Sequence, residues 1–450
     1  MRFKQDNILF FQSLKKFALA TDGLEILTNT QAFKTRLFEL IQAASQRIYL
    51  SMLYLEDDEA GREVLHALYQ AKQQNPALDV KIFVDFHRAQ RGLIGEAPGS
   101  GNAKLYRECQ QQYQHPIDIY GVPVKSKEVM GVLHLKGFIF DDTVLFSGAS
   151  INDIYLHQLE RYRYDRYHVI HHQPLAQSMV DFLEHNFITS TAVQKLTNSE
   201  VTPAKKMKKA VVQLKRQLSN AQYHIDKPLP VAHNGVAITP LAGLGSRRNI
   251  LNKTIQFMIR SSQEKLVMLT PYFNLPPVLN KEIRKLLKKG RTVTMVIGDK
   301  TANDFFIPPD KPFTTIGGLP YVYETNLRRF LQKNQKFVNS GLLNVHLWSH
   351  ENNSFHLKGI NSDDKMHLLT GNNLNPRAWR LDLENGLLIQ DQQKNLLKPF
   401  ADELTTIMTH TQRVEHFKQI ESIKDYPPPV RKLLRKLKTT KIDSIIKNII

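Results

Sequence analysis

Cysteine occurs once in the 450 residues, at Cys109, which excludes an internal disulfide and a cysteine metal cluster. A reducing, cytoplasmic setting is the simplest expectation. Long apolar runs are missing too. No stretch approaches the roughly 20 apolar residues that cross a bilayer. The opening MRFKQDNILFFQSLKKFAL holds no apolar run of signal-peptide length. There is no HExxH zinc motif. Acidic residues fall short of basic ones, 42 against 61, leaving a formal charge of +19. Such an excess suits a polyanionic partner: nucleic acid, an anionic membrane or a phosphate-rich substrate. With 42% apolar and 23% charged residues the chain is globular, and its length allows two or three domains.

What is present is a repeat. HLKGFIFDD begins at His134 and HLKGINSDD at His356. About 10⁵ position pairs make one shared tetrapeptide unsurprising, but adding both aspartates lowers the chance expectation to roughly 10⁻³. The flanks agree. RIYLSMLYLEDD from Arg47 reads as a buried strand, EVLHALYQAKQQ as a helix and VKIFVDFH from Val80 as a second strand. KLVMLTPYF from Lys265, NKEIRKLLKKG and VTMVIGDK from Val293 repeat that order. The expectation is two α/β lobes, residues 1–200 and 246–425, joined by a basic linker region over 201–245.

Each His-x-Lys places both side chains on one strand face, with Leu135 or Leu357 turned to the apolar layer. Two histidines and two lysines suit substitution at phosphorus. One neutral imidazole attacks, the other protonates the leaving oxygen, and Lys136 and Lys358 neutralise the non-bridging oxygens. Lysine beside each histidine opposes a metal cation, so no metal is expected. GASIN (from Gly148) and GNNLN (from Gly371) offer Ser150, Asn152, Asn373 and Asn375 as neutral phosphate donors. YDRYHVI and LENGLLI align Asp165 with Glu384 as histidine-orienting carboxylates. Glu384 is expected to serve His356, and Asp165 to serve His134. Arg166, Arg377 and Arg380 are expected substrate contacts, with Tyr162, Arg163, Tyr164 and Trp379 beside them.

His134, Lys136 and Asp141, then His356, Lys358 and Asp363, resemble the doubled HxKxxxxD signature of the phospholipase D superfamily, over approximately residues 40 to 400. HLKGFIFDDTVLFSGASIND, YRYDRYH and LLTGNNLNPRAWRLDLEN more narrowly resemble its bacterial CDP-diacylglycerol–serine O-phosphatidyltransferases. The resemblance implies two lobes, each a mixed β-sheet flanked by helices, in a pseudo-twofold pair. It puts all six motif residues in the catalytic set, the aspartates as organisers. It implies metal-independent exchange without a cofactor, with His134 as nucleophile and His356 as acid and base. CDP-diacylglycerol and L-serine are the implied substrates, and a ribosomal contact is a further implied partner. The sequence departs from the superfamily's Gly-Ser-x-Asn: the glycine lies 14 residues beyond His134 but 15 beyond His356.

Residues 426–450, opening on the PPP at Pro427, read as a basic amphipathic helix. Leu433, Leu434, Leu437, Ile445, Ile446 and Ile449 share one face; Arg431, Lys432, Arg435 and Lys436 lie mostly elsewhere. That pattern suits reversible attachment to an anionic phospholipid membrane at its cytoplasmic face, or docking on the chain's own body. Rivals that use the same histidines are a phospholipase D, a cardiolipin-type transferase and a nuclease. A non-enzymatic membrane or nucleic-acid binder would leave both chemical sets idle.

Overall fold

The computed structural model describes residues 2–91, 101–225 and 235–439. Two large mixed sheets carry the architecture. The core of the first runs Asp118–Val122, Asp79–Asp85, Arg47–Ser51, Gly137–Phe140, Thr143–Ser147, Tyr167–His171. The second repeats that order as Leu343–Trp348, Thr292–Gly298, Lys265–Thr270, Gly359–Ser362, Met366–Thr370, Leu383–Gln390. In each, three parallel strands meet an antiparallel run that begins just after HLK. The parallel strands are apolar on both faces because helices cover the sheet. Helix Glu59–Gln74 starts where the Asp58 side chain accepts the Gly61 amide and buries Val64, Leu65 and Leu68. Helix Pro277–Lys288 buries Leu279, Ile283, Leu286 and Leu287 at the matching place.

The lobe boundaries differ from expectation at two points. Phe10, Phe11 and Leu14 of the N-terminal segment pack into the second lobe's core, and strand Phe17–Leu19 pairs with Val236–Leu244. That strand, assigned from sequence to the linker region, pairs residue by residue with Leu383–Gln390. Hydrophobic patterning locates elements but not the sheet they join, so neither placement was legible. Helix Lys208–Leu218, in the basic linker region, buries Val211, Leu214 and Leu218 in the same core cluster as Leu175 and Phe182 of the first lobe.

Helix Pro428–Thr439 buries Val430 against Tyr321 and Tyr426, with Leu434 partly buried beside them. Gly318 is tight against Leu433: a Cβ there would lie 2.5 Å from its Cδ2. The first turns therefore rest on the chain's own body, while Lys432, Arg435 and Lys436 face outward. Ile445, Ile446 and Ile449 lie outside the described residues. Among the described residues no helix is long and apolar enough to cross a membrane.

Candidate active site

Both HLK segments leave their own sheets at one end and are stitched to the opposite lobe. The His134 amide donates to the Leu383 carbonyl at 2.9 Å. Asn385 accepts the Lys136 amide at 2.8 Å and donates to its carbonyl at 2.7 Å. Symmetrically, the His356 amide donates to the Tyr164 carbonyl at 2.8 Å, and Ser354–Phe355 pairs with Arg163–Tyr164. Each histidine thus lies against the segment bearing the other lobe's carboxylate.

The histidine–carboxylate pairs are crosswise as a result. His134 Nδ1 lies 2.9 Å from Glu384 Oε2, and His356 Nδ1 lies 2.8 Å from Asp165 Oδ2. This reverses the expected pairing of His134 with Asp165 and His356 with Glu384. Aligning the two copies identifies equivalent carboxylates, but not that they act across the pseudo-twofold axis.

The lysines, each 1% exposed, also cross. Lys136 passes over Gly371, where a Cβ would lie 2.7 Å from its Cγ. Its ammonium donates to the Ala149 carbonyl and Ser150 hydroxyl, both at 3.2 Å. Lys358 donates to Asp165 at 3.0 Å beside Gly148, where a Cβ would meet its Nζ at 2.9 Å. It also contacts both His356 ring nitrogens, lying 3.1 Å from Nε2. The glycine after each hairpin admits the lysine of the opposite lobe.

Burial and mutual repulsion set the protonation states. Burial, then the Lys358 charge, bring Lys136 down to about 7. Burial and Lys358 hold His356 near 3; burial and Lys136 hold His134 well below its usual value. Burial alone would raise Asp165, but Lys358 and His356 hold it well below the usual carboxylate range. Glu384 goes the other way: burial pushes it up to about 8 against the pull of Lys136, Lys358 and Arg377.

Residues 37–185 and 255–410 match the family described as "Cardiolipin synthase, PLD-like domain". The Haemophilus influenzae CDP-diacylglycerol–serine O-phosphatidyltransferase is 46% identical, over 97% of each chain. Its counterpart from Escherichia coli K12 is 45% identical over 97% of this chain and 96% of its own. The crystal structure of the H. influenzae phosphatidylserine synthase superposes with a TM-score of 0.95 at 45% identity, covering 99% of this chain and 100% of that one. The chain belongs to the phospholipase-D-like phosphatidylserine synthase family.

In this family member the expected site residues separate into two groups. Ser147 and Thr370 each accept the amide two residues on, and Asn152 and Asn375 each accept the amide three residues on. GASIN and GNNLN therefore superpose without a gap. Ser150 and Asn373 are equivalent, and Asn373 Oδ1 is buried without a partner. Asn152 and Asn375 serve as turn and helix caps through Oδ1. The extra residue lies in the hairpin: Asp141–Asp142 joins the first pair of strands, residues 363–365 the second.

Asp141 and Asp363, counted with the catalytic set, sit at those hairpins with φ of 50° and 58°. Asp141 accepts the amides of Ser45, Gln46 and Arg47; Asp363 accepts those of Gln263, Glu264 and Lys265. Seven residues of extended chain separate each from its histidine, roughly 20 Å. They anchor the strand beside HLKG and touch nothing at the histidines. Arg166 is likewise committed, gripping Glu403 in a buried bidentate pair at 2.8 and 2.6 Å. Arg377 bonds Asp382 and the Glu128 carbonyl, and its charge reaches His134. Arg380 is exposed on the short helix Pro376–Arg380.

Sequence reasoning missed four neighbours. The Tyr155 hydroxyl lies 2.9 Å from His356 Nδ1, and the Tyr272 ring stands edge-on to His356 at 6.2 Å. Tyr272 donates to Asp304 at 2.6 Å, and Asp304 pairs with Arg163 at 2.8 Å. Asn385 was findable, standing next to Glu384. Asp304 gave no signal, because it lies in irregular chain beyond a strand.

Proposed function

We propose that the chain transfers the phosphatidyl group of CDP-diacylglycerol to L-serine, giving phosphatidylserine and CMP. The crosswise histidine–carboxylate pairs, at 2.8 and 2.9 Å, carry this reading. His134 Nε2 attacks the phosphatidyl phosphorus. A P–N bond forms as the P–O bond to CMP breaks, and His356 gives its proton to the departing phosphate oxygen. The serine hydroxyl then attacks phosphorus, its proton passes to His356, and the P–N bond breaks. Both rings are held at Nδ1, but Lys358 lies against His356 Nε2 and, among the described residues, no lysine so contacts His134, which favours His134 as the attacking ring. A diphosphate between Lys136 and Lys358 offsets the charge that depresses His356, raising it toward its acid role. Purified protein given CDP-diacylglycerol should release CMP in proportion to serine, and acid quench should leave labelled phosphatidyl on His134. Label on His356 would reverse the roles; DNA cleavage without CMP release would replace the function.

The same reading places the protein reversibly at the inner face of an anionic membrane. The outward Lys432, Arg435 and Lys436 support it, since a juxtamembrane cation contributes about 1 kcal/mol. Lys432→Glu with Arg435→Glu should lower recovery on phosphatidylglycerol vesicles several-fold while turnover on detergent-dispersed substrate persists. Unchanged recovery would remove the helix from this role.

A further inference from the structure

The lipid donor's chemistry is accounted for by the histidines and lysines, but the acceptor is a zwitterion with an ammonium and a carboxylate to seat. A pair of opposite charges lies beside His356. Arg163 comes from the first lobe and Asp304 from the second, with side chains 12% and 11% exposed. Each stands one tyrosine away from His356. Arg163 lies over the Tyr155 ring at 4.6 Å, and the Tyr155 hydroxyl contacts His356 Nδ1. Asp304 accepts from Tyr272, whose ring faces His356.

The pair is also incompletely satisfied. Arg163 Nε and Asp304 Oδ1 form an ion pair at 2.8 Å, but the contact lacks the alignment of a hydrogen bond. Buried polar atoms ordinarily find aligned partners, and one ligand carrying both charges can open this pair and give each side a better aligned one. A strut that only joined the lobes would gain by closing that bond, as Arg166 and Glu403 do.

We propose that Arg163 and Asp304 form the acceptor subsite, Arg163 holding the carboxylate and Asp304 the ammonium of a small hydroxy amino acid. The bound zwitterion extends its hydroxyl past the tyrosines toward His356. This rests on the transferase reading above and adds the residues that select the acceptor.

The test uses two acceptors that each lack one charge: 3-hydroxypropanoate has no ammonium and ethanolamine no carboxylate. The wild-type protein should prefer L-serine to each by about 10²-fold or more in kcat/KM, because an acceptor that opens the pair but lacks one charge leaves the other side unpaired. Asp304→Asn should cut the serine-to-hydroxypropanoate ratio to about tenfold or less, and Arg163→Gln should do the same for serine to ethanolamine. Ratios taken within one preparation cancel any unfolded fraction, and Asp304→Glu and Arg163→Lys should restore part of each. Equal use of the three acceptors by the wild type, or a wild-type ratio retained in the matching variant, overturns the assignment. Absence of any serine-dependent CMP release would instead strike the transferase reading itself.

Discussion

The two halves of the site share a backbone plan and differ in their protons. Around His356 the carboxylate is Asp165, held ionised beside Lys358 and accompanied by the Tyr155 hydroxyl. Around His134 it is Glu384, buried, pushed up to about 8, with Oε1 unpartnered. Duplication supplied two equal frames. Burying one carboxylate in direct contact with a lysine, and the other with cations acting only at longer range, made two unequal proton stores. The proposed two-step transfer uses that inequality, one ring attacking while the other manages the proton.

The comparison can be broken most sharply at the carboxylates. Asp165→Asn removes the charge that offsets a fully buried Lys358 and fixes the ring of His356. It should cost about 10³–10⁴-fold in kcat, the scale seen when a histidine loses its orienting carboxylate. Glu384→Gln should cost less, about 10²-fold at pH 7, because the native side chain is largely neutral there. The pH profile sharpens the point. Glu384, raised to about 8, is protonated below that pH and frees His134 Nε2 only as it ionises. Lys136, lowered to about 7, keeps its ammonium below that pH and loses it above. Wild-type kcat/KM should therefore peak between about 7 and 8. Glu384→Gln should flatten the acid limb, and Asp165→Asn should keep both limbs. Identical profiles in the two variants would erase the claimed difference.

Smaller effects are expected where the lobes are alike. Asp141→Ala and Asp363→Ala each remove a carboxylate that accepts three backbone amides at a partly exposed turn. Each should lower stability by about 1–3 kcal/mol in urea titration and leave kcat within about threefold. A catalytic loss of a hundredfold in either would return that aspartate to the chemistry.

Much of this site was legible because it is written twice. The His-x-Lys spacing, the parallel strands and the equivalence of Asp165 with Glu384 all follow from comparing one copy with the other. What crosses between copies was not legible. His134 meets Glu384, Lys136 meets Gly371, and Arg163 meets Asp304 only after the lobes face each other. Asp141 shows what a motif leaves unsaid: it records a shared sequence position, and a turn that anchors a strand recurs as regularly as a nucleophile. The docking of Val430 and Leu434 was equally hidden, since an amphipathic face does not say what covers it.

The N-terminal strand has a consequence for how the molecule is made. Phe17–Leu19 pairs with Val236–Leu244, which lies on Leu383–Gln390. At a synthesis rate of about 5–20 residues per second, that first strand waits roughly 10–40 s for its neighbour to emerge. The half translated first can close its own sheet in that interval, but the opening segment must stay unpaired until the second half arrives. A cut at residue 200 would therefore separate the second sheet from its own edge, and the two fragments would have to be supplied together to rebuild it.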